Sequence, residues 1–105
     1  MQAPEPQYQP SLVCFGSGID EMCQLARRAE QAGFESVWVA EFYDRPATIA
    51  LAAMAQHTER IGLGSGIAYG FGRTPLVLAA EARDLDTISG GRLGLGLGTG
   101  TRRMQ

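Results

Sequence analysis

Residues 60–67 read RIGLGSGI, and residues 92–97 read RLGLGL. Both stretches alternate glycine with a larger side chain, which is the period-two pattern of a β-strand. Each predicted strand therefore has one bulky face and one face of nearly bare backbone. Repeated glycine weakens a strand and needs a physical reason. Three reasons fit this pattern: a flat ligand lies close to the backbone, a barrel interior is crowded, or helices pack on the sheet where only glycine fits.

The rest of the chain alternates predicted strands and helices around these two stretches. Apolar runs predict further strands at 11–16 and 35–40. Helical spacing of apolar side chains, with a polar cap residue before each run, predicts three helices. The helices begin near Ser17, Asp44 and Thr74. The order of strand and helix, repeated three times and followed by a strand, predicts βαβ units and a parallel sheet.

Two architectures accept this order: an open doubly wound sheet and a (β/α)₈ barrel. The dinucleotide-binding fingerprint G-x-G-x-x-G of doubly wound folds does not occur, because Gly94, Gly96 and Gly98 are followed by Thr99. The glycine-faced strands favour the barrel, which needs about 250 residues when complete. We therefore expect an α/β fold that is the N-terminal half of a TIM barrel, with about three βα units and a fourth parallel strand. Such a chain is either a fragment of a longer protein or a half that pairs with another chain.

Composition excludes several functional classes. All nine basic residues are arginine, so the chain has no lysine for Schiff-base chemistry or a phosphate-binding loop. One histidine, His57, and two cysteines nine residues apart, Cys14 and Cys23, predict no metal site. The net charge of −2 argues against nucleic acid, and no apolar run is long enough for a membrane span. We expect a cytoplasmic protein whose residues 1–10, rich in proline and glutamine, form a disordered tail.

Three stretches resemble the luciferase-like monooxygenase family, and the resemblance covers residues 11–105 as a partial domain. The stretches are LARRAEQAGFESVWVAE (25–41), TERIGLGSGI (58–67) and TPLVLAAEARDLDTISGGRLGLGLGTG (74–100). The resemblance implies a TIM barrel and an oxidoreductase that uses FMN or the deazaflavin coenzyme F420. It also implies a small-molecule organic substrate and, since members often form dimers, a homodimer.

The resemblance also implies the site residues. Glu41 holds the acid that ends the family's second strand, and Tyr43 stands where histidine often occurs; both are expected to be catalytic. Ser65, Gly66 and Ile67 match the strand that carries a non-prolyl cis peptide against the cofactor, and the Gly66–Ile67 bond is the expected cis bond. The pocket is expected to be completed at the end of the fourth strand by Gly98, Thr99 and Gly100.

Three functions follow as hypotheses. The first is a flavin-dependent oxidoreductase or monooxygenase, and the second is hydride transfer with coenzyme F420. The third is a non-catalytic half-barrel fragment or association module. Barrel enzymes often bind a phosphate after strands seven and eight, which lie beyond these 105 residues. We therefore expect weak or no cofactor binding by the isolated chain.

Overall fold

The computed structural model of the chain describes residues 10–14, 18–41, 45–69 and 74–98. Within these ranges lie five strands and three helices. They are β1 (Ser11–Cys14), α1 (Ile19–Gln31), β2 (Ser36–Ala40), α2 (Ala47–Gln56), β3 (Gly62–Tyr69), α3 (Pro75–Ser89), β4 (Leu93–Gly94) and β5 (Leu97–Gly98). The predicted alternation of strand and helix is confirmed. Residues 1–9 of the predicted tail lie outside the described residues.

The strands decide between the two architectures. Strands β1, β2, β3 and β4 lie side by side in chain order, and every pair is parallel. A doubly wound sheet reverses its strand order at a switch point, whereas a barrel wall adds each strand beside the one before it. The described strands therefore have the arrangement of a barrel wall, as expected.

The helices pack on one face of the sheet, which we call the helix face. Its strand residues are Val37, Val39, Leu63 and Ala68, and each is at most 2% exposed. The helices contribute small and flexible apolar side chains to the same core, among them Met22, Ala26, Leu51 and Met54. Burial of this apolar surface supplies the main driving force for the fold.

The opposite face, which we call the open face, carries Ser36, Trp38 and Ala40 from β2 and the register-matched glycines Gly64 and Gly94. The glycines therefore lie away from the core that α1, α2 and α3 form with the sheet. The interpretation that helices pack where only glycine fits is wrong for these strands. A crowded interior and a nearby ligand remain as reasons for the glycines.

Helix ends agree with the sequence in part. At α3 the Thr74 hydroxyl accepts a hydrogen bond from the Val77 N–H at 3.2 Å, and Gly90 ends the helix with φ of 65°. Helix α1 begins one residue later than expected, because its N-cap is Gly18, with no side-chain cap bond. The N-cap of α2 is Pro46, and the expected cap residue Asp44 lies outside the described residues.

Two charged side chains tie the helices to the amino edge of the sheet. One carboxylate oxygen of Glu30, on α1, accepts hydrogen bonds from three successive backbone N–H groups, at residues 59–61, over 2.6–2.9 Å. The Arg92 guanidinium donates to backbone oxygens at the end of α2 and before β3, including Ala55 O at 3.2 Å and Ile61 O at 3.0 Å. These contacts fix the helices against the start of β3 and β4.

Candidate functional site

The carboxyl edge of the sheet brings together several of the residues expected to form the site. Glu41 follows β2 directly, Ile67 lies near the end of β3, and Gly98 ends β5. The Glu41 backbone N–H donates to Ile67 O at 3.3 Å. A Cβ built at Gly98 would lie 3.0 Å from Cδ1 of Ile67. The expected residues Tyr43, Thr99 and Gly100 lie outside the described residues.

A β-bulge at Gly66 sets the direction of Ile67. Val39 pairs with Ser65 but the next residue, Ala40, pairs with Ile67, so Gly66 is the extra residue in β3. An extra residue reverses which face the following side chains occupy. The alternating pattern placed Ile67 on the same face as Leu63; the bulge instead leaves Ile67 37% exposed on the open face and buries Ala68.

The expected cis peptide is a further correction. The peptide bonds of the described residues are all trans, including Gly66–Ile67. A cis bond without proline costs about 3–4 kcal/mol and persists only where its surroundings enforce it. In this chain the irregularity of β3 is the bulge at Gly66, and the peptide bond from Gly66 to Ile67 is trans.

The Glu41 side chain is buried at 4% exposure and contacts the start of α2. Its Oε2 accepts a hydrogen bond from the Ala47 backbone N–H at 2.6 Å. Ala47 is the first residue of α2, where unpaired N–H groups and the helix dipole favour a negative charge. The carboxylate of Glu41 therefore stabilises α2 at its N-terminus, and the catalytic role that the resemblance implies stays a prediction.

Ser65 is not brought together with Ile67. Its side chain is fully buried on the helix face, where the hydroxyl donates to Gly96 O at 2.8 Å and accepts from Gly96 N–H at 2.9 Å. Gly96 O also accepts a hydrogen bond from the Ala68 backbone N–H at 2.7 Å. Between the pairs Gly64–Gly94 and Ala68–Leu97, β3 has one residue more than the predicted fourth strand, 92–97, which is divided there into β4 and β5. The Ser65 hydroxyl joins two strands, and its expected contact with a cofactor stays a prediction.

Sequence reasoning missed Trp38. Its indole lies across the glycines of the open face: a Cβ built at Gly64 would lie 2.5 Å from indole Cε3, and one at Gly94 3.3 Å from Cη2. The crowded-interior explanation is therefore right for these two glycines. The available signal was the register: Trp38 is the large residue whose position on β2 matches that of Gly64 on β3.

The two cysteines lie in the core. Burial raises the pKa of each thiol, most simply at Cys14; a nearby Asp20 charge adds to the effect at Cys23. A raised pKa makes a thiol less reactive.

In the described residues no cluster of histidine, cysteine or carboxylate side chains has the arrangement of a metal site. Among those residues, no helix has the length and apolar character to span a bilayer.

Comparison with known proteins identifies the family. The sequence profile described as luciferase-like monooxygenase matches residues 2–105. The chain belongs to this family. The resemblance seen in the sequence is thereby confirmed, together with the α/β fold of parallel strands whose structural neighbours are TIM-barrel enzymes.

Individual luciferase-like relatives are much longer than this chain. An uncharacterised protein of Mycobacterium tuberculosis is 46% identical over 85 residues, which are 75% of this chain and 25% of that protein. The coenzyme F420-dependent tetrahydromethanopterin reductase of Methanopyrus kandleri superposes with a TM-score of 0.84 at 30% identity, covering 94% of this chain and 29% of the reductase. The monooxygenase RslO1 of Streptomyces bottropensis gives a TM-score of 0.72 at 34% identity, covering 75% and 26%. The chain thus spans about a quarter of the length of its relatives.

Proposed function

We propose that this chain provides the first βα units of a luciferase-like barrel oxidoreductase, and that its open face meets a flavin or deazaflavin at the carboxyl edge. The observation that carries this proposal is the Gly66 bulge. The bulge turns Ile67 onto the open face beside Gly98, at the edge of the sheet where barrel active sites are built. Bulges often re-aim a side chain next to an active site.

The residues present fit a flat ring. Gly66 is exposed, and a Cβ built there would meet no atom closer than Val39 O at 3.5 Å, so the glycine leaves a shallow space. Ile67 supplies an apolar surface next to that space. Gly98 lies beside Ile67 and has no side chain that could cover this surface. An apolar surface with little relief is what a flat aromatic ring needs for close contact. These three residues would hold one face of the ring and exclude water from it.

The cofactor would supply the redox chemistry, and the protein would position it. A reduced flavin transfers hydride or reacts with oxygen, whereas a reduced deazaflavin transfers hydride. The superposition on the Methanopyrus reductase over 94% of the chain favours hydride transfer with coenzyme F420. The likeness to a Streptomyces monooxygenase supports oxygenation as the second candidate, for which the proposed cofactor is a flavin such as FMN. The substrate is proposed to be a small organic molecule, and the expected homodimer stays a prediction.

The first test uses the protein expressed from its complete natural gene. It should be titrated with FMN and with coenzyme F420, with binding followed by fluorescence. We expect one cofactor to bind with a Kd of micromolar or tighter, which corresponds to about 8 kcal/mol. If neither cofactor reaches that affinity, the chain is a non-catalytic half-barrel or association module. The intact mass of the protein belongs with this experiment: a mass near 11.2 kDa would favour the same non-catalytic conclusion.

A matched pair of variants locates the site. Ile67→Asp places a charge on the surface that would face the ring, and it should weaken cofactor binding at least tenfold. Ile49→Asp is the control, because Ile49 is 60% exposed on α2, on the other side of the sheet. Equal loss of affinity in both variants would contradict the proposed location. Transfer of an oxygen atom from O2 into an organic test substrate, measured by mass spectrometry, then separates oxygenation from hydride transfer, because reduced flavin also consumes oxygen without oxygenating a substrate.

A further inference from the structure

We propose that Trp38 is the floor of the ligand pocket and determines how far a bound molecule can enter from the carboxyl edge. This inference rests on the proposed function, since it assumes that the open face binds a ligand. Trp38 lies in the middle of β2, in a row across the sheet with Val13, Gly64 and Gly94. The row carries one large side chain and two bare positions beside it.

The indole covers the backbone of two strands. The positions that a Cβ would take at Gly64 and Gly94 are both within 3.3 Å of the indole ring. A side chain at Gly64 would collide with the ring, since real Cβ contacts do not approach 2.5 Å. The glycines therefore make room for a ring that lies flat across β3 and β4. One side chain thus covers the open face of β3 and β4 at this level.

A hydrogen bond anchors the indole. Its Nε1–H donates to the Ser36 hydroxyl at 2.8 Å, and the Ser36 and Ser11 hydroxyls are 2.8 Å apart. Both serines lie toward the amino edge, so the polar end of Trp38 is held away from the carboxyl edge. Because the ring donor is already paired with Ser36, the Trp38 indole presents its apolar ring to an entering ligand. A ligand that reaches the floor must end in an apolar or aromatic group.

The space above the floor is lined by apolar residues, of which only Ile67 is large. The next position of the open face carries Ala40 on β2 and Ile67 on β3, with Gly98 beside Ile67. Two residues along a strand correspond to about 7 Å. A planar group entering from the carboxyl edge would therefore pass Ile67 and meet the indole about one strand repeat below. This depth selects the length of the apolar end of the ligand.

The test measures pocket depth without the cofactor or the natural substrate. Primary alcohols of increasing chain length, from butanol upward, are titrated into the protein expressed from its complete gene. Binding is measured by calorimetry, which reads the wild type and the Trp38 variants in the same way. In the wild type, affinity should rise about fourfold per added methylene, the equivalent of about 0.8 kcal/mol, and then stop rising at a limiting length.

Removing the floor should move that limit. In Trp38→Ala the fourfold gain should continue for several further methylenes. Trp38→Phe keeps an aromatic ring of smaller size and should extend the limit by less, which provides the test if the alanine variant does not fold. Ile49→Ala, on the outer surface of α2, should leave the limit unchanged. Circular dichroism confirms that each compared variant is folded.

Two results would overturn the inference: the same limiting length in wild type and folded Trp38 variants, or no alcohol binding by the wild type at any length. Titration of FMN and coenzyme F420 in the same preparations separates this failure from failure of the proposed function. If a cofactor binds but the limiting length is the same in the Trp38 variants, only the role of Trp38 as the pocket floor is contradicted. If the limiting length changes but no cofactor binds, the role of Trp38 is supported and the proposed cofactor is contradicted.

Discussion

The two faces of the sheet solve the packing problem in opposite ways. On the helix face, branched side chains such as Val37 and Leu63 interdigitate with the helices and are almost completely buried. On the open face, the backbone is bare at Gly64 and Gly94, and the ring of Trp38 lies across both. The helix face thus depends on many similar contacts, whereas the open face depends on one side chain. The first face supplies the core of the fold, and the second is the face on which we propose that a ligand binds.

The largest expected effect compares core side chains with exposed ones. Leu63→Ala, at a helix-face position that is 2% exposed, should lower the free energy of unfolding by about 2–5 kcal/mol because it leaves a cavity. Val13→Ala is the open-face counterpart at 49% exposure and should cost less than about 1 kcal/mol. Urea unfolding followed by circular dichroism measures both. Equal losses would mean that the two faces are not different in burial.

The second prediction compares two glycines of β3. Gly64→Ala should cost about 1–3 kcal/mol, because the new methyl group must displace the Trp38 ring. It should also shift the emission of Trp38. Gly66→Ala is the control, since its Cβ would have ordinary contact at 3.5 Å and the residue is exposed. A tolerated Gly64→Ala with unchanged emission would show that the indole does not cover β3.

The third prediction concerns the helix side of the molecule and pH. Burial by itself would raise the pKa of Glu30, but the backbone hydrogen bonds from residues 59–61 and the charge of Arg60 outweigh it and lower that pKa below its ordinary value near 4.5. A lowered pKa in the folded state adds stability above the ordinary value, and this stability is lost as pH falls through the folded value.

Glu30→Gln measures this contribution. At pH 7 it should cost about 1 kcal/mol, since a neutral amide oxygen accepts the three N–H groups less strongly. The difference from wild type should shrink as the pH is lowered and Glu30 becomes protonated. Glu21→Gln removes an exposed carboxylate of the same helix and is measured in parallel as the control for the loss of one charge. Parallel stability curves for wild type and Glu30→Gln from pH 7 to acid would contradict the assignment.

The smallest effect belongs to the anchor of the indole. Ser36→Ala removes the acceptor of the Trp38 Nε1–H bond and should cost about 0.5–1.5 kcal/mol. The Trp38 emission should change, since the ring donor then bonds to water or to a new partner. An unchanged spectrum together with unchanged stability would mean that Ser36 does not orient the ring.

The amino-acid pattern predicts the helix face better than the open face. Alternating apolar residues located β2 and β3, and Thr74, Pro75 and Gly90 located α3, because each of these signals is local. Membership of the family and the parallel sheet are confirmed. The strand order then excluded the doubly wound alternative. This exclusion required the three-dimensional structure, because the sequence does not show which strands are neighbours.

The open face resisted prediction because its features depend on contacts between strands. Nothing local marks Gly66 as a bulge: the alternation of RIGLGSGI is perfect in sequence, yet the pairing of Val39 and Ala40 skips one residue of β3. The same holds for Glu41, where the sequence indicated a strand-end acid but not its hydrogen bond to Ala47. The cis bond at Gly66–Ile67, expected from the family resemblance, is also wrong. The roles expected for Tyr43, Thr99 and Gly100 stay predictions.

We propose that the open face receives the cofactor ring above Trp38 and beside Ile67. The most direct measurement is a crystal structure of the protein from its complete gene with FMN or coenzyme F420 bound. We expect a planar ring in contact with Ile67 and Gly66, on the carboxyl side of the Trp38 indole. A ring bound on the helix face, or one that occupies the place of the indole across Gly64 and Gly94, would contradict it.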